Sequence, residues 1–130
     1  LGNLAIVCCP GEFTTIAGQR VVDTVKQVFA DQSDIERVWF ASYCNDYMGY
    51  VTTYEEYQEQ AYEGGHTLFG QWTLAACQSK FKLLAEQLLL DKNQRNYDQV
   101  TRPKPIPQQE LAKRSNHGNL KTATSQGEAV

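Results

Sequence analysis

Residues 4–15 read LAIVCCPGEFTT, and this stretch sets the architecture of the chain. Its first six residues form an apolar run of strand length, whose small and β-branched members suggest burial on both faces. Pro10-Gly11 ends the run, and Thr14 or Thr15 can cap a helix that follows. A second run of strand length, VWFASYC, occupies residues 38–44. Strand, helix and strand in this order predict a βαβ unit with a parallel pair of strands.

Two helices are predicted from amphipathic patterns. The first follows the Thr14-Thr15 cap, and its apolar stripe consists of Val21, Val22, Val25, Val28 and Phe29. A longer helix is expected from about Thr73 to Leu90. Its seam, predicted to pack in the core, consists of Leu74, Cys77, Phe81, Leu84 and Leu88. Between the two, residues 54–60 are predicted to form a short helix, and Gly64-Gly65 and Gly70 to mark loops.

The composition changes after residue 92. Three of the four prolines lie at positions 103, 105 and 107, and large apolar residues become sparse. Residues 93–130 are therefore interpreted as a linker or disordered tail, and residues 1–92 as the folded domain. The predicted fold class is mixed α/β: a βαβ-type fragment with a long helix and a disordered tail. Because the chain opens directly into a strand and does not begin with Met, we expect it to be a piece of a larger protein.

The net charge of −3 is unevenly distributed. Residues 1–90 carry 5 Lys/Arg and 11 Asp/Glu, whereas residues 91–130 carry 7 and 4. An acidic body argues against a nucleic-acid partner, because phosphate binding requires a basic surface. The basic residues of the tail are dispersed among Gln, Asn and Pro, and we interpret them as solubilising.

The four cysteines contain no Cys-x-x-Cys pair, which argues against a thiolate zinc site. Cys8 and Cys9 are adjacent in a predicted strand and should face opposite sides. Buried free thiols are the main interpretation. A disulfide from Cys8 or Cys9 to Cys44 is the alternative.

Glu12 and a cluster of tyrosines are the candidate functional residues. Six of the seven tyrosines lie between residues 43 and 62, directly after the second predicted strand. Glu12 follows the first strand, so a parallel pair would bring both segments to one edge of the sheet, where ligands bind in open α/β folds. Carboxylate and phenol oxygens can bind a Lewis-acidic metal, and a phenol can stabilise a developing oxyanion. A structural salt bridge of Glu12 and plain packing of the tyrosines remain alternatives.

The two histidines do not form a recognisable metal-binding pair. His66 and His117 lie far apart, without His-x-x-x-His or His-Glu-x-x-His spacing. His66 is predicted to be a loop residue, and His117 an exposed residue of the tail.

Residues 4–20 (LAIVCCPGEFTTIAGQR) and 45–70 (NDYMGYVTTYEEYQEQAYEGGHTLFG) resemble the neutral, non-lysosomal ceramidase family. These are zinc-dependent amidohydrolases that cleave the N-acyl bond of ceramide. The resemblance covers roughly residues 1–90 and corresponds to the C-terminal stretch of the family's catalytic domain. Ile16, Gln19 and His66 depart from the residues usual in the family, but no proposed ligand is lost.

The resemblance implies a role for three residues. Glu12 and Tyr50 match two of the family's four zinc ligands, and Tyr62 matches the catalytic tyrosine that hydrogen-bonds the scissile amide. The other two ligands, both histidines, and a serine implicated in attack belong to a region outside the matched motifs. The remaining tyrosines of the cluster are assigned to packing: Tyr43, Tyr47, Tyr54 and Tyr57.

The resemblance also implies Zn²⁺ as the cofactor, ceramide as the substrate, and sphingosine and a fatty acid as products. It implies an extracellular or membrane-surface location. With two of four ligands, the isolated chain is expected to be inactive. The alternatives are a non-catalytic truncated remnant, and a small α/β binding or interaction module with a tyrosine-lined pocket.

Overall fold

The computed structural model describes residues 2–30, 33–98, 100 and 107–109. The chain divides into two units, residues 1–97 and 98–130, and every element named below lies in the first. Most of the predicted tail, including His117, lies outside the described residues. None of the described helices has the length and apolar character needed to cross a membrane. The elements are β1 (Leu4–Cys8), β2 (Glu12–Phe13), α1 (Thr15–Phe29), β3 (Arg37–Ala41), β4 (Tyr50–Val51), α2 (Tyr54–Gln58), α3 (Tyr62–Gly65) and α4 (Thr73–Leu89).

The predicted βαβ unit is confirmed. Strands β1 and β3 pair in parallel, from Leu4 opposite Arg37 to Cys8 opposite Ala41. Helix α1 connects them and begins at the Thr14 cap, whose hydroxyl accepts a hydrogen bond from the Ala17 N–H at 3.3 Å. All five residues of its predicted stripe are buried. The first helix therefore forms where the sequence pattern and its cap predict it.

The prediction that both faces of the sheet are buried is wrong for the described structure. Val7 and Val38 are buried beneath α1, whereas Ile6 and Trp39 are 44% and 58% exposed. Successive residues of a strand face opposite sides, so a helix on one face leaves the alternate residues open. An apolar strand sequence does not reveal which of its faces is covered within this segment.

Helix α4 confirms the predicted long helix but corrects its packing seam. Leu74 and Ala85 are buried, whereas Leu84 and Leu88 are 43% and 49% exposed. An α-helix turns every 3.6 residues, so an apolar seam with a 3.5-residue repeat drifts away from a straight contact line. On the side facing α1, Gln78 donates a hydrogen bond to the Thr24 hydroxyl at 2.8 Å.

Two segments expected to be irregular form regular structure. Strands β2 and β4 make a second parallel pair, although no strand was predicted at Glu12–Phe13 or at Tyr50–Val51. Helix α3 includes Gly64-Gly65, where a loop was expected. A Cβ on Gly64 would lie 3.1 Å from the Glu56 carbonyl oxygen, so glycine permits close contact between α2 and α3. Strands of two residues are too short for hydrophobic periodicity to reveal.

Helix α2 begins with a reciprocal capping box. The Thr53 hydroxyl accepts from the Glu56 N–H at 3.1 Å, and the Glu56 carboxylate accepts from the Thr53 N–H at 2.8 Å. Thr53 is almost fully buried. These contacts explain why a five-residue helix is stable at this position.

Replacing Thr53 with alanine is expected to lower the free energy of unfolding by about 1 kcal/mol, because it removes the cap hydroxyl. Urea denaturation followed by circular dichroism measures the change. Ser79→Ala is the matched control, since its hydroxyl bonds the Ala75 carbonyl on an exposed side of α4 and caps no helix. Equal losses in the two variants would contradict a specific role for the cap.

Candidate active site

Glu12 and Tyr50 lie side by side as register partners of β2 and β4. The predicted proximity of the two segments is thus confirmed. Backbone hydrogen bonds tie them together, since the Glu12 N–H donates to the Gly49 carbonyl at 3.0 Å and the Tyr43 N–H donates to the Gly11 carbonyl at 3.2 Å. Gly49 has a φ of 93°, in a region that glycine adopts readily. This turn leads directly into Tyr50.

Tyr47 holds the Glu12 carboxylate. Its hydroxyl donates to Glu12 Oε2 at 2.7 Å, and its ring stacks on Tyr43 with centroids 6.3 Å apart. Hydrogen bonds from Tyr47, and then from Tyr43 and Tyr50, lower the pKa of Glu12 below its ordinary value. The assignment of Tyr43 and Tyr47 to packing is therefore wrong, because both side chains are more than half exposed, the Tyr47 hydroxyl bonds Glu12, and Glu12 raises the pKa of Tyr43.

The tyrosines around Glu12 keep their protons. The hydrogen bond to Glu12 raises the pKa of Tyr47 to about 12 and also raises the pKa of Tyr43. Burial raises the pKa of Tyr50, with the neighbouring Glu12 as the second cause. At neutral pH the group is one ionised carboxylate that accepts hydrogen bonds from protonated phenols.

Tyr43 is held in a strained backbone conformation. Its φ is 60°, in the left-handed region that large side chains rarely adopt. Such a residue costs on the order of 1–2 kcal/mol and persists only when its surroundings hold it in place. Here the bond to the Gly11 carbonyl and the Glu12 contact hold it. Strained residues of this kind concentrate at functional sites, which supports a role for this loop.

Tyr62 and His66 form an aromatic group with Tyr50. The Tyr62 ring meets the Tyr50 ring edge-on with centroids 5.5 Å apart, and the His66 ring lies 4.4 Å from the Tyr62 ring. His66 Nδ1 is 2.7 Å from the Tyr62 carbonyl oxygen, so Nδ1 carries a proton and donates. Tyr62 is 64% exposed and is not among the residues that line the cleft described below, although its neighbours Ala61 and Glu63 are. His66 follows α3 as its C-cap, and the four-residue spacing from Tyr62 was the one sequence signal for their contact.

A cleft of about 550 Å³ opens beside these residues. Glu12, Tyr43 and Tyr50 line one part of it, and three further acidic residues line another: Glu56, Glu59 and Glu63. Glu56 already accepts hydrogen bonds from the Thr14 hydroxyl at 2.6 Å and from the Thr53 N–H, so it links the starts of α1 and α2. The cleft is consequently electronegative and suited to a cation or a hydrogen-bond donor.

The residues that follow Tyr50 have a structural role. Val51, Thr52 and Thr53 are almost completely buried, and the Thr52 hydroxyl lies 3.3 Å from the Thr67 hydroxyl. This buried segment anchors β4 and the start of α2. It thereby holds the backbone of Tyr50 in position.

Glu12 and Tyr50 fit part of a metal site. Their oxygens are acceptable zinc ligands, but zinc sites use three or four protein ligands. Among residues 2–30, 33–98, 100 and 107–109, no group of three or more His, Cys, Asp or Glu residues could hold a metal ion. The described residues therefore offer two of the ligands that a zinc centre would need.

Ceramidases of known structure share this fold. The chain superimposes with a TM-score of 0.71 on a structure described as "Ceramidase complexed with C2", at 39% identity over 82% of this chain and 16% of that one. It matches the neutral ceramidase of Pseudomonas aeruginosa with a TM-score of 0.72, over 79% of this chain and 16% of that one. At 39% identity, the chain resembles these two structures in amino-acid sequence as well as in fold.

Sequence comparison gives the same result as structural comparison. Residues 1–79 match the family described as "Neutral/alkaline non-lysosomal ceramidase, N-terminal". "Neutral ceramidase 3" of Arabidopsis thaliana is 44% identical over 109 residues, which are 82% of this chain and 14% of that protein. The Pseudomonas aeruginosa neutral ceramidase is 46% identical over 88 residues, or 68% of this chain and 13% of that protein. The chain belongs to the neutral/alkaline non-lysosomal ceramidase family, and it spans about one seventh of the length of these two curated relatives.

Replacing Tyr47 with phenylalanine is expected to raise the pKa of Glu12 toward its ordinary value, because the variant loses the hydroxyl that stabilises the ionised carboxylate. A group with a lowered folded pKa stabilises the fold at higher pH and loses that contribution as pH falls through this pKa. The free energy of unfolding of the variant should therefore fall less than that of the original chain when pH is lowered through the pKa of Glu12. NMR titration of the Glu12 carboxyl carbon measures the shift.

Tyr54→Phe is the control for this titration, since the Tyr54 ring packs on Trp72 and Tyr54 is not among the groups that shift the pKa of Glu12. An unchanged Glu12 titration in Tyr47→Phe would show that the hydrogen bond does not control the carboxylate.

Proposed function

We propose that residues 1–97 form one wall of the active site of a zinc-dependent ceramidase. The reaction is hydrolysis of the N-acyl amide bond of ceramide to sphingosine and a fatty acid. The observation that carries the proposal is the pairing of Glu12 with Tyr50 at the edge of an acidic, tyrosine-lined cleft. Family membership supports the type of reaction, and the geometry supports the division of roles among the residues.

Glu12 and Tyr50 would hold the zinc ion. Glu12 is ionised at neutral pH, and it presents a carboxylate that Tyr47 orients at 2.7 Å. Tyr50 places a phenol oxygen in the next register position. Zinc in such a site supplies Lewis acidity toward a carbonyl oxygen. Orientation of a ligand by a neighbouring hydroxyl is a general feature of metal centres, and it gives Tyr47 a positioning role.

Tyr62 would contact the substrate. Its side chain is largely exposed, and its ring contacts Tyr50, which lines the cleft, and His66. From this position its hydroxyl would donate a hydrogen bond to the amide group of ceramide. Such a donor stabilises negative charge that develops on the amide oxygen during hydrolysis.

Ceramide is thus the proposed partner, with a membrane surface as its source and an extracellular or membrane-associated location. The described residues provide two ligand oxygens, so we also propose that the 130-residue chain does not hydrolyse ceramide by itself.

A chimeric enzyme tests the proposal. The matching 88-residue segment of the Pseudomonas aeruginosa neutral ceramidase is replaced by that of this chain, and release of fatty acid from labelled ceramide is measured along with bound zinc. We expect the chimera to hydrolyse ceramide and to contain zinc. The 130-residue chain, assayed in parallel, should release no fatty acid. A folded but inactive chimera would refute the proposed function, and activity of the chain alone would refute its dependence on further ligands.

A further inference from the structure

His66 connects two tyrosines of the candidate active site through its backbone. The Tyr50 N–H donates to the His66 carbonyl at 3.4 Å, and the His66 N–H donates to the Tyr62 carbonyl at 3.2 Å. Tyr50 is the first residue of β4, and Tyr62 is the first residue of α3. One residue is therefore bonded to the starts of both elements.

The side chain of His66 makes the same connection. Nδ1 donates a second hydrogen bond to the Tyr62 carbonyl, at 2.7 Å, and a carbonyl oxygen can accept two such bonds. The imidazole ring lies 4.4 Å from the Tyr62 ring and 6.2 Å from the Tyr50 ring. The two tyrosine rings meet edge-on, at an interplanar angle of 81°. Each of the three rings thus contacts the other two, at separations close to those that aromatic pairs prefer.

We propose that His66 is a positioning residue, whose imidazole ring holds the Tyr62 ring against Tyr50. The proposed substrate contact would then keep a fixed place beside the proposed zinc ligand. What the two tyrosines do rests on the proposed function, whereas the way in which His66 holds them rests on the contacts described above.

Tyr62 depends on this support because its own position is exposed. Its side chain is 64% exposed, and it opens a helix of only four residues, whose N-cap makes no side-chain hydrogen bond. Exposed side chains change rotamer within picoseconds to nanoseconds. Tyr50, in contrast, is held by its pairing with Glu12 and by the fully buried Val51 that follows it. The Tyr50 ring is therefore the fixed point, and the His66 ring is the second support that keeps Tyr62 against it.

The chemistry of histidine suits this role because one side chain supplies both a ring and a donor. The Nδ1–H bond to the Tyr62 carbonyl fixes the direction of the imidazole, and the imidazole then fixes the Tyr62 ring. A hydrogen-bond donor stabilises a developing charge only when it is aimed at the place where that charge appears. Phenylalanine at position 66 would keep the ring without the donor, and asparagine would keep a donor without the ring.

Nuclear Overhauser effects between the ring protons of Tyr50 and Tyr62 test the positioning in the 130-residue chain. We expect these signals in the original chain and in His66→Phe, and we expect them to be lost in His66→Ala and His66→Asn. Phe69→Ala is the control, since it removes a 69% exposed ring from the same loop, and it should keep the signals. Circular dichroism of each variant shows that a lost signal is not caused by unfolding.

Kinetics of the chimeric ceramidase test the consequence for catalysis. His66→Ala and His66→Asn are expected to lower kcat by about 10-fold, which is less than the roughly 100- to 1000-fold that complete loss of an oxyanion donor costs. KM should change little, because the affected hydrogen bond acts in the transition state. Bound zinc should not change, since every variant keeps the bond from the Tyr50 N–H to the backbone carbonyl of residue 66. His66→Phe should keep most of the original kcat.

Four results would overturn the proposal: ring signals that persist in His66→Ala, an unchanged kcat in that variant, a loss of zinc that accompanies the loss of kcat, and a His66→Phe variant as slow as His66→Ala. A merely structural role of His66 would lower the urea midpoint and leave kcat unchanged. An inactive chimera that retains His66 would refute the proposed function instead, and the ring signals of the 130-residue chain would still decide whether His66 positions Tyr62.

Discussion

Glu12→Gln in the chimeric ceramidase is expected to lower zinc affinity by more than about 100-fold, since losing an outer-shell partner already costs about 10- to 100-fold and Glu12 is proposed as a direct ligand. Glutamine keeps the size of the side chain but removes the negative charge. The Tyr47 hydroxyl would retain an oxygen to bond, so the local fold should persist. Ceramide hydrolysis should fall in parallel with bound zinc, which is measured by atomic emission after dialysis.

Glu59→Gln is the matched control for this substitution. Glu59 lines the same cleft and carries the same charge, but it is not a register partner of Tyr50. Its variant should retain zinc and activity. Tyr50→Phe should lose zinc as Glu12→Gln does, because it removes the second proposed ligand. Equal zinc content in all of these variants would overturn the assignment of both ligands. Circular dichroism spectra that do not change would confirm that a loss of zinc is not caused by misfolding.

Phe29→Ala is expected to lower the free energy of unfolding of the 130-residue chain by about 3–5 kcal/mol. Phe29 is 3% exposed at the end of α1 and belongs to the core cluster that includes Val7, Val25 and Ala85. Removing its ring takes away buried apolar area and leaves a cavity that neighbouring residues fill only in part. Small domains are stable by about 5–15 kcal/mol, so the urea midpoint should fall markedly.

Phe69→Ala is the control for the core substitution, because it removes the same ring from a side chain that is 69% exposed. Its effect should stay within about 0.5 kcal/mol, as is usual for surface positions. Similar urea midpoints for the two variants would mean that the cluster around Phe29 is not the principal core of this segment.

The proximity of Glu12 and Tyr50 could be predicted because it follows from strand direction alone. Both residues come shortly after an apolar strand, and parallel strands end at the same edge of a sheet. The contacts of Tyr47 and Tyr43 with Glu12 could not be predicted in this way. They depend on the turn through Gly49 and on the left-handed backbone of Tyr43. These bring the Tyr47 hydroxyl, which is 35 residues from Glu12 in the sequence, to its carboxylate.

Helix α4 likewise has features that the sequence predicts and features that it does not. Its ends follow from local pattern, and they agree with the structure to within a residue. Which of its apolar residues are buried depends on how the helix lies against α1 and β1. Ala85, rather than Leu84 or Leu88, is the residue buried in the second half of the helix.

By itself the sequence determined the parallel βαβ unit, the buried stripe of α1, the extent of α4 and membership of the ceramidase family. These features follow from local periodicity, helix caps and contiguous motifs, each of which lies within a short stretch of sequence. Only the tertiary structure decided which tyrosines hold Glu12 and where His66 packs. Each of these contacts joins side chains from separate turns and helices, so its geometry depends on angles and distances that no local pattern encodes.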